Sequence, residues 1–404
     1  MVKPKSFKVA FYVGDLPTTT FINRLAMGLV GAGIQVTMFG LIKEQFNLPA
    51  GVFISGARDG YKEGRISRYF RFLKFSILLS LFRKSDKKKL DSWLIENKKT
   101  HWNEKNMLYP IVWLKPDILH LQWVKDISHF GWTQKLGIKL VVSLRGAHIN
   151  YSPLTVEDLA DTYRKCFPKV DTFHGVSNAI CKEAAKYNAD LNKCTVVYSG
   201  FKIEEFSKSN WNNNFETLPQ RSLNIISVGR SHWKKGYHFA LDAIRLLKAK
   251  NVHFHYTIIG AAGVEELEFQ RDQLELAEQV TFLEKVPFHE VKNIIRKADV
   301  LLLPSVEEGV ANVVLEAMFL GTLVISADCG GMEEVITNGE NGIVVPVRNP
   351  KKISEAIERV YSESPEKLNE MVDKAYEKVA KQHSEERMVK DMTAVYLKVL
   401  DLEN

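Results

Sequence analysis

Val300-Leu-Leu-Leu-Pro-Ser-Val-Glu-Glu-Gly-Val-Ala-Asn-Val-Val-Leu-Glu-Ala-Met318 decides how this 404-residue chain folds. Its first four residues are apolar and read as a buried strand. A loop containing Gly309 follows, and Asn312 opens a helical pattern. A strand, a glycine-bearing loop and a helix amino terminus, in that order, offer free backbone amides to an anion. Glu308 stands at the mouth of the loop, where a carboxylate can accept hydrogen bonds from the hydroxyls of a ligand such as a sugar. Glu316 follows about one turn into the helix, within reach of a ribose. Two glutamates alone read more readily as a solvated loop residue and a helix-surface residue.

The same order recurs on either side. Ser227-Val-Gly-Arg-Ser-His-Trp-Lys-Lys-Gly236 also follows an apolar run and precedes a helical pattern. Arg230 offers a planar fork of donors and Lys235 a point charge, a pair suited to a diphosphate at a strand end. Loop cations of this kind are more often simply solvated. Cys329-Gly-Gly-Met-Glu-Glu334 follows the apolar run Leu323 to Ser326. Its Gly330 and Gly331 permit a tight turn with backbone amides aimed at a ligand.

Working outward, short apolar runs alternate with helical patterns along most of the chain. In the first half the runs are Val9 to Val13, Ile34 to Phe39, Asp117 to Leu121, Leu140 to Leu144 and Cys194 to Tyr198. Helical stretches such as Phe21 to Val30 and Val176 to Lys186 lie between them. A polar, turn-rich break spans Phe201 to Arg221. The alternation restarts with Asn224 to Val228, His255 to Ile259, Val280 to Leu283, Val300 to Leu303, Leu323 to Ser326 and Gly342 to Val345. Fully apolar strands alternating with helices predict an α/β protein with parallel sheets covered on both faces. The expected organisation is a domain over 1–205, a linker over 206–221, a second domain over 222–383 and a final helix over 384–404. Ser384 is placed to cap that helix, which is expected to pack back on the first domain. In such doubly wound halves ligands bind outside the carboxyl ends of the strands, and two halves facing each other create a cleft.

Composition narrows the field. Hydrophobic residues make up 45% and charged residues 25%, and the net charge is +7. Residues 65–89 hold nine basic residues and one acid, a net of +8, which leaves 46 basic and 47 acidic residues elsewhere. A near-neutral chain with one basic segment does not read as a nucleic-acid binder. Cys166, Cys181, Cys194 and Cys329 form no CxxC pair and no zinc-ligand spacing, so they read as free thiols of a reducing compartment. No apolar run is long enough for a signal-peptide core or for a spanning helix of about 18 residues. The expected location is the cytoplasm, with peripheral attachment at most. Within the basic segment, Ile66, Phe70, Leu73, Ile77 and Leu81 fall inside an arc of about 80°, with Arg68 and Arg71 opposite. Two readings stand: a surface for an anionic membrane or acidic acceptor, or a helix docking its apolar stripe on the first domain with its charges solvated.

The three strand-end stretches, taken in order, closely resemble the carboxy-terminal half of family-four glycosyltransferases, which have the GT-B fold of two Rossmann-like domains. Pro116-Asp-Ile-Leu-His120, Phe173-His-Gly-Val-Ser177 and Tyr198-Ser-Gly-Phe-Lys-Ile-Glu-Glu-Phe206 extend the likeness into the first half. The resemblance implies a retaining, metal-independent transfer of a hexose from a UDP- or GDP-sugar to a glycan or lipid-linked acceptor, with no cofactor, in cell-surface polysaccharide synthesis. It implies that Glu308 and Glu316 are the E-x7-E pair, the first binding donor-sugar hydroxyls and the second the ribose. Arg230 and Lys235 match the pair that holds the leaving diphosphate. The loop amides of Gly309, Val310, Ala311, Asn312 and Val313 match the contacts to sugar and phosphate, and Gly330, Gly331 and Glu334 match a G-G-x-x-E turn. Consistently, no two aspartates are spaced D-x-D, the metal-holding motif of the other main glycosyltransferase fold.

Two departures stand out. Where many family members carry His-Gly, this chain has Arg145-Gly146, with His148 three residues on. Either His148 takes that histidine's place near the transferred sugar, or Arg145 binds an anionic acceptor or phosphate; His148 reads equally well as a plain loop histidine. Where many have Gly-Gly after the first strand, this chain has Gly14-Asp-Leu-Pro-Thr-Thr-Thr-Phe21, so Thr18, Thr19 and Thr20 are candidates for binding acceptor or capping the next helix. Gly28-Leu-Val-Gly-Ala-Gly33 imitates a dinucleotide fingerprint, yet it ends a helical pattern rather than opening one and reads as a terminating turn. The second reading of the chain is a catalytically silent sugar-nucleotide-binding or scaffold protein on the same fold.

Overall fold

The computed structural model describes residues 7–47, 50–54, 58–59, 64–206, 208, 211, 215–218, 220–250 and 252–402. The basic residues among the first six positions and most of the polar stretch Ser207 to Asn214 lie outside the described residues. Contacts divide the chain into two units. The first comprises Met1–Val176, Ile180–Gly200 and Glu385–Asn404; the second comprises Ser177–Ala179 and Phe201–Ser384.

In the first unit the strands are β1 (Lys8–Leu16), β2 (Gln35–Ile42), β3 (Phe53–Ile54), β4 (Arg58–Asp59), β5 (Ile118–Leu121), β6 (Lys139–Leu144), β7 (Thr172–Gly175) and β8 (Cys194–Val196). They form one sheet in the order β3-β2-β1-β5-β6-β7-β8, with β4 also on β2. Every described pairing is parallel. Strand β7 and the two-residue β3 and β4 go beyond the strands expected from apolar runs. In the second unit β9 (Leu223–Val228), β10 (Phe254–Ile259), β11 (Val280–Leu283), β12 (Val300–Leu303), β13 (Leu323–Ala327) and β14 (Ile343–Val345) are ordered β11-β10-β9-β12-β13-β14, again all parallel.

Uniform apolarity of the strands follows from burial on both faces. Along β12, Val300 and Leu302 enter one hydrophobic cluster while Leu301 and Leu303 enter another. Along β1, Ala10 and Tyr12 face one cluster, and Val9, Phe11 and Val13 the other. A period of two that is apolar at every step needs helices above and below. At the amino-terminal end of the second sheet, Arg221 grips buried Asp299 with two bonds of 2.6 and 2.7 Å. The Asn224 amide donates to the same carboxylate and so ties β9 to the start of β12.

The helix Glu385–Val399 belongs to the first unit. Its Met388, Met392, Val395, Tyr396 and Val399 pack with Ile22, Leu25 and Leu29 of the helix Thr20–Gly31. Gly28 lies inside that latter helix, and a Cβ there would stand 2.3 Å from Val389 Cγ2, so close helix packing explains it. The terminating turn itself falls at Gly33, whose φ is +85°.

Tyr396 also ends a buried polar chain that fixes its own proton directions. The Val197 carbonyl can only accept, so His174 Nε2 carries hydrogen toward it at 3.1 Å. His174 Nδ1 then accepts from Ser143 Oγ at 2.9 Å. The Ser143 oxygen accepts from His120 Nε2 at 2.8 Å, and His120 Nδ1 accepts from the Tyr396 hydroxyl at 2.7 Å. These directions are those of neutral imidazoles, the state that burial favours. Burial, with His174 and Arg145 nearby, holds His120 well below the ordinary histidine value, and burial with Arg145 holds His174 at about 3. Their contribution to stability is complete above the unfolded value of about 6.5 and declines as pH falls below it toward 3. Melting temperatures are expected to drop between pH 7 and pH 5, with a smaller drop in His174→Gln. Tyr396→Phe strands the His120 acceptor and is expected to cost about 1–3 kcal/mol at neutral pH. Thermal unfolding across this range checks both.

The basic segment forms two helices, Arg65–Phe82 and Lys84–Glu96, broken at Arg83 (φ −139°, ψ 43°). The docking of its apolar stripe on the first unit is overturned. Phe75 and Leu79, from the opposite side, enter the core with Phe72 beside them. Arg71, also on that side, is not merely solvated, since its Nε donates to Asn106 Oδ1 at 3.1 Å. The four cysteines are free thiols.

Candidate active site

In the second sheet the chain turns one way from β9 to β10 and the other way to β12, which makes the carboxyl ends of β9 and β12 the place for a ligand. The loop after β9 carries Arg230, Lys234 and Lys235; the loop after β12 carries Glu308. Lys235 Nζ donates to Glu308 Oε1 at 2.7 Å. Lys234 Nζ lies 3.5 Å from Oε2, and Ser305 Oγ donates to Oε1 at 3.4 Å. The Glu308 side chain is only 11% exposed. Lys234 was not among the residues singled out in the sequence, although it adjoins Lys235.

Three loops are stitched together here. The Val306 amide donates to the Lys234 carbonyl at 2.7 Å. The Gly331 amide donates to the Gly309 carbonyl at 2.6 Å. Gly330 (φ +57°) packs so tightly that a Cβ would stand 1.7 Å from the Glu308 carbonyl oxygen. The expectation that both glycine amides point at a ligand is thus corrected for Gly331, whose N–H is spent on the neighbouring loop. Glu334 lies in the first turn of the short helix Met332–Val335. Cys329, just before the glycines, is buried, and burial together with Glu308 and Glu307 pushes its thiol up to about 12.

The helix Asn312–Phe319 starts at Ala311 without a side-chain cap and without an acidic residue in its first turn. Its first amides are therefore available to an anion. Glu316, in this helix, is 8% exposed. A cavity of about 720 Å³ brings together Arg230, Val313 and Glu316 with Glu284, Lys285 and Phe288. The last three follow β11 and were not read from the sequence. Their position at a strand's carboxyl end was the available signal.

The first unit has its own pocket, of about 370 Å³, at the carboxyl ends of β1 and β5. Asp15, Thr18, Thr19, Trp123, Lys125 and His148 line it. Trp123 meets His148 edge-on at 5.9 Å. Burial and then Lys125 push His148 below the ordinary histidine value. Thr19 occupies the N-cap position of the helix Thr20–Gly31, but its hydroxyl makes no capping bond, so the capping expectation fails there. Arg145 is not on the pocket wall. It is 8% exposed and stacks against Phe21, 4.6 Å from the ring centre. One nitrogen donates to Gln122 Oε1 at 3.4 Å, while Nε has no partner. The structure thus separates His148, which faces the pocket, from Arg145, which does not.

Residues 210–378 match the family model described as "Glycosyl transferases group 1". This stretch contains the stitched loops and the larger cavity. The second unit is a group 1 glycosyltransferase domain. Among curated relatives, WcaL of Salmonella typhimurium, named for colanic acid biosynthesis, is 26% identical over 286 residues, 67% of this chain and 69% of that protein. The amylovoran biosynthesis glycosyltransferase AmsK of Erwinia amylovora is 27% identical over 251 residues, 58% of this chain and 60% of AmsK. The matches thus span three fifths to just over two thirds of these relatives' length. The crystal structure of Alr3699/HepE from Anabaena, in complex with UDP and glucose, covers 97% of this chain and 100% of its own at a TM-score of 0.67 and 16% identity. The chain has the GT-B fold. The group 1 domain and the two doubly wound sheets agree with the resemblance read from the sequence.

Proposed function

We propose that the protein is a retaining glycosyltransferase moving a hexose from a UDP- or GDP-sugar to a glycan or lipid-linked acceptor in cell-surface polysaccharide synthesis. The observation that carries this reading is the Lys235–Glu308 pair, held by three stitched loops beside an uncapped helix amino terminus. Transfer breaks the bond between the anomeric carbon and the diphosphate oxygen, and the oxygen keeps the electron pair. Arg230, Lys235 and the amides around Val310 to Val313 meet that charge where it develops, a task fixed cations and dipoles perform without a metal. Glu308 then accepts from donor-sugar hydroxyls, Glu316 from the ribose, and the Gly330–Gly331–Glu334 turn supports the loop. His148, Thr18 and Thr19 receive the acceptor; Thr20 and Arg145, away from the pocket wall, do not. WcaL and AmsK, named for colanic acid and amylovoran biosynthesis, support the substrate class, and HepE with UDP and glucose supports the donor class.

A panel of UDP- and GDP-hexoses tests the reading. One donor is expected to be hydrolysed slowly alone and transferred when acceptor glycan is added, with the anomeric configuration of the product retained by NMR. Activity is expected to survive EDTA. If no donor binds or turns over, the proposal fails; loss in EDTA restored by a divalent ion refutes its metal-free part.

A further inference from the structure

The helix Arg65–Phe82 buries one side and presents the other to solvent. Phe75 and Leu79 enter the core. Half a turn away, Ile66, Phe70, Ile77 and Leu81 are 74%, 65%, 57% and 70% exposed. Their spacings of four, seven and four place them along one line of the helix. An aromatic residue borders the line: the exposed Tyr69 meets Trp102 edge-on at 6.1 Å. Nothing within the described residues covers this ridge, and a contiguous apolar surface of this kind marks an interaction site. Charge surrounds it. Lys74 is exposed on the same helix, and Lys84, Lys88 and Lys89 are exposed on the next, with no described carboxylate paired to them.

We propose that this face docks on the headgroup layer of an anionic lipid leaflet. Aliphatic side chains flanked by aromatic rings seat at the boundary between headgroups and acyl chains, while neighbouring lysines meet lipid phosphates. The exposed Lys74, Lys84, Lys88 and Lys89 select an anionic partner over a second copy of the chain, which presents the same charges. The helix lies along the surface, since no helix among the described residues is long and apolar enough to cross a membrane. This attachment does not depend on the transfer chemistry and is tested without it.

The experiment is co-sedimentation of the full chain with vesicles of phosphatidylcholine alone and of phosphatidylcholine mixed with phosphatidylglycerol, at low and high salt. Binding to the mixed vesicles is expected to be about tenfold stronger than to the neutral ones and to weaken with salt. Phe70→Asp/Leu81→Asp, at two exposed positions, is expected to keep the parent melting temperature and lose about tenfold in binding. Replacing Lys84, Lys88 and Lys89 by Glu is expected to abolish the preference for phosphatidylglycerol. Equal binding to both vesicle types overturns the proposal, as does unchanged binding by the Asp variant. A dimer in gel filtration that the Asp variant dissolves, with no vesicle binding by the parent, assigns the face to a second copy and overturns it too.

Discussion

Glu308→Gln is expected to lower kcat by about 10²–10³-fold, the scale of removing one preorganised polar contact at a transition state. Its melting temperature should fall modestly. The carboxylate, only 11% exposed, touches Lys235, Lys234 and Ser305, and weakening its bonds to these largely buried partners costs about 1–3 kcal/mol. The same contacts give a second readout that separates binding from turnover. Glu308, bonded to Lys235, competes for it with any incoming diphosphate. Removing its charge frees both lysines, so UDP or GDP is expected to bind Glu308→Gln as tightly as the parent or more tightly. Lys235→Ala is expected to lose turnover and nucleotide affinity together. Titration calorimetry with the nucleotide, alongside kcat measurements, checks the contrast. A Glu308→Gln variant with parental kcat removes the role assigned to this residue.

Gly330→Ala is expected to be the most damaging single-methyl change in the second unit. The new Cβ would stand 1.7 Å from the Glu308 carbonyl oxygen, a backbone atom that cannot swing aside, and the residue sits at φ +57°. Clash and left-handed strain together are expected to cost about 3 kcal/mol or more, each being worth about 1–3. Relief requires the Pro304–Ala311 loop to shift, which carries Glu308 away from Lys235. Activity should therefore fall even at temperatures where the variant remains folded. Gly339→Ala is the control: it has φ +80° with nothing within 4 Å, so it isolates strain from clash. Melting curves and kcat for the two variants decide the matter, and equal effects would show that the contact with Glu308 is unimportant.

The sheets were legible because both of their faces are covered. Runs such as Val300 to Leu303 and Leu140 to Leu144 are apolar at every step, a pattern few other environments produce. Strand β7 escaped because Thr172-Phe-His-Gly175 mixes polar and small residues, and its histidine is buried by satisfying hydrogen bonds rather than by apolarity. Glu308, Lys235, Gly330 and Glu316 were legible as a spaced set at strand ends, but their mutual contacts were not. Which amide bonds to which carbonyl between loops some 20 to 100 residues apart depends on the packing of those loops. For that reason the Gly331 amide was wrongly expected to face a ligand. The orientation of the helix Arg65–Phe82 was left between two readings for another cause. Its sequence is apolar on more than one side, so periodicity found a stripe without saying that the stripe faced outward.

The first unit is assembled from stretches far apart in the sequence, residues 1–176 and 180–200 with residues 385–404. Its sheet is complete by Val196, yet Tyr396, which donates to His120, comes from the helix Glu385–Val399. No single cut can release that unit whole. A fragment ending near Gly200 would uncover the apolar side of the helix Thr20–Gly31 and leave His120 short of its donor. A soluble version for acceptor studies needs the last stretch of chain grafted after Gly200 or supplied as a separate peptide.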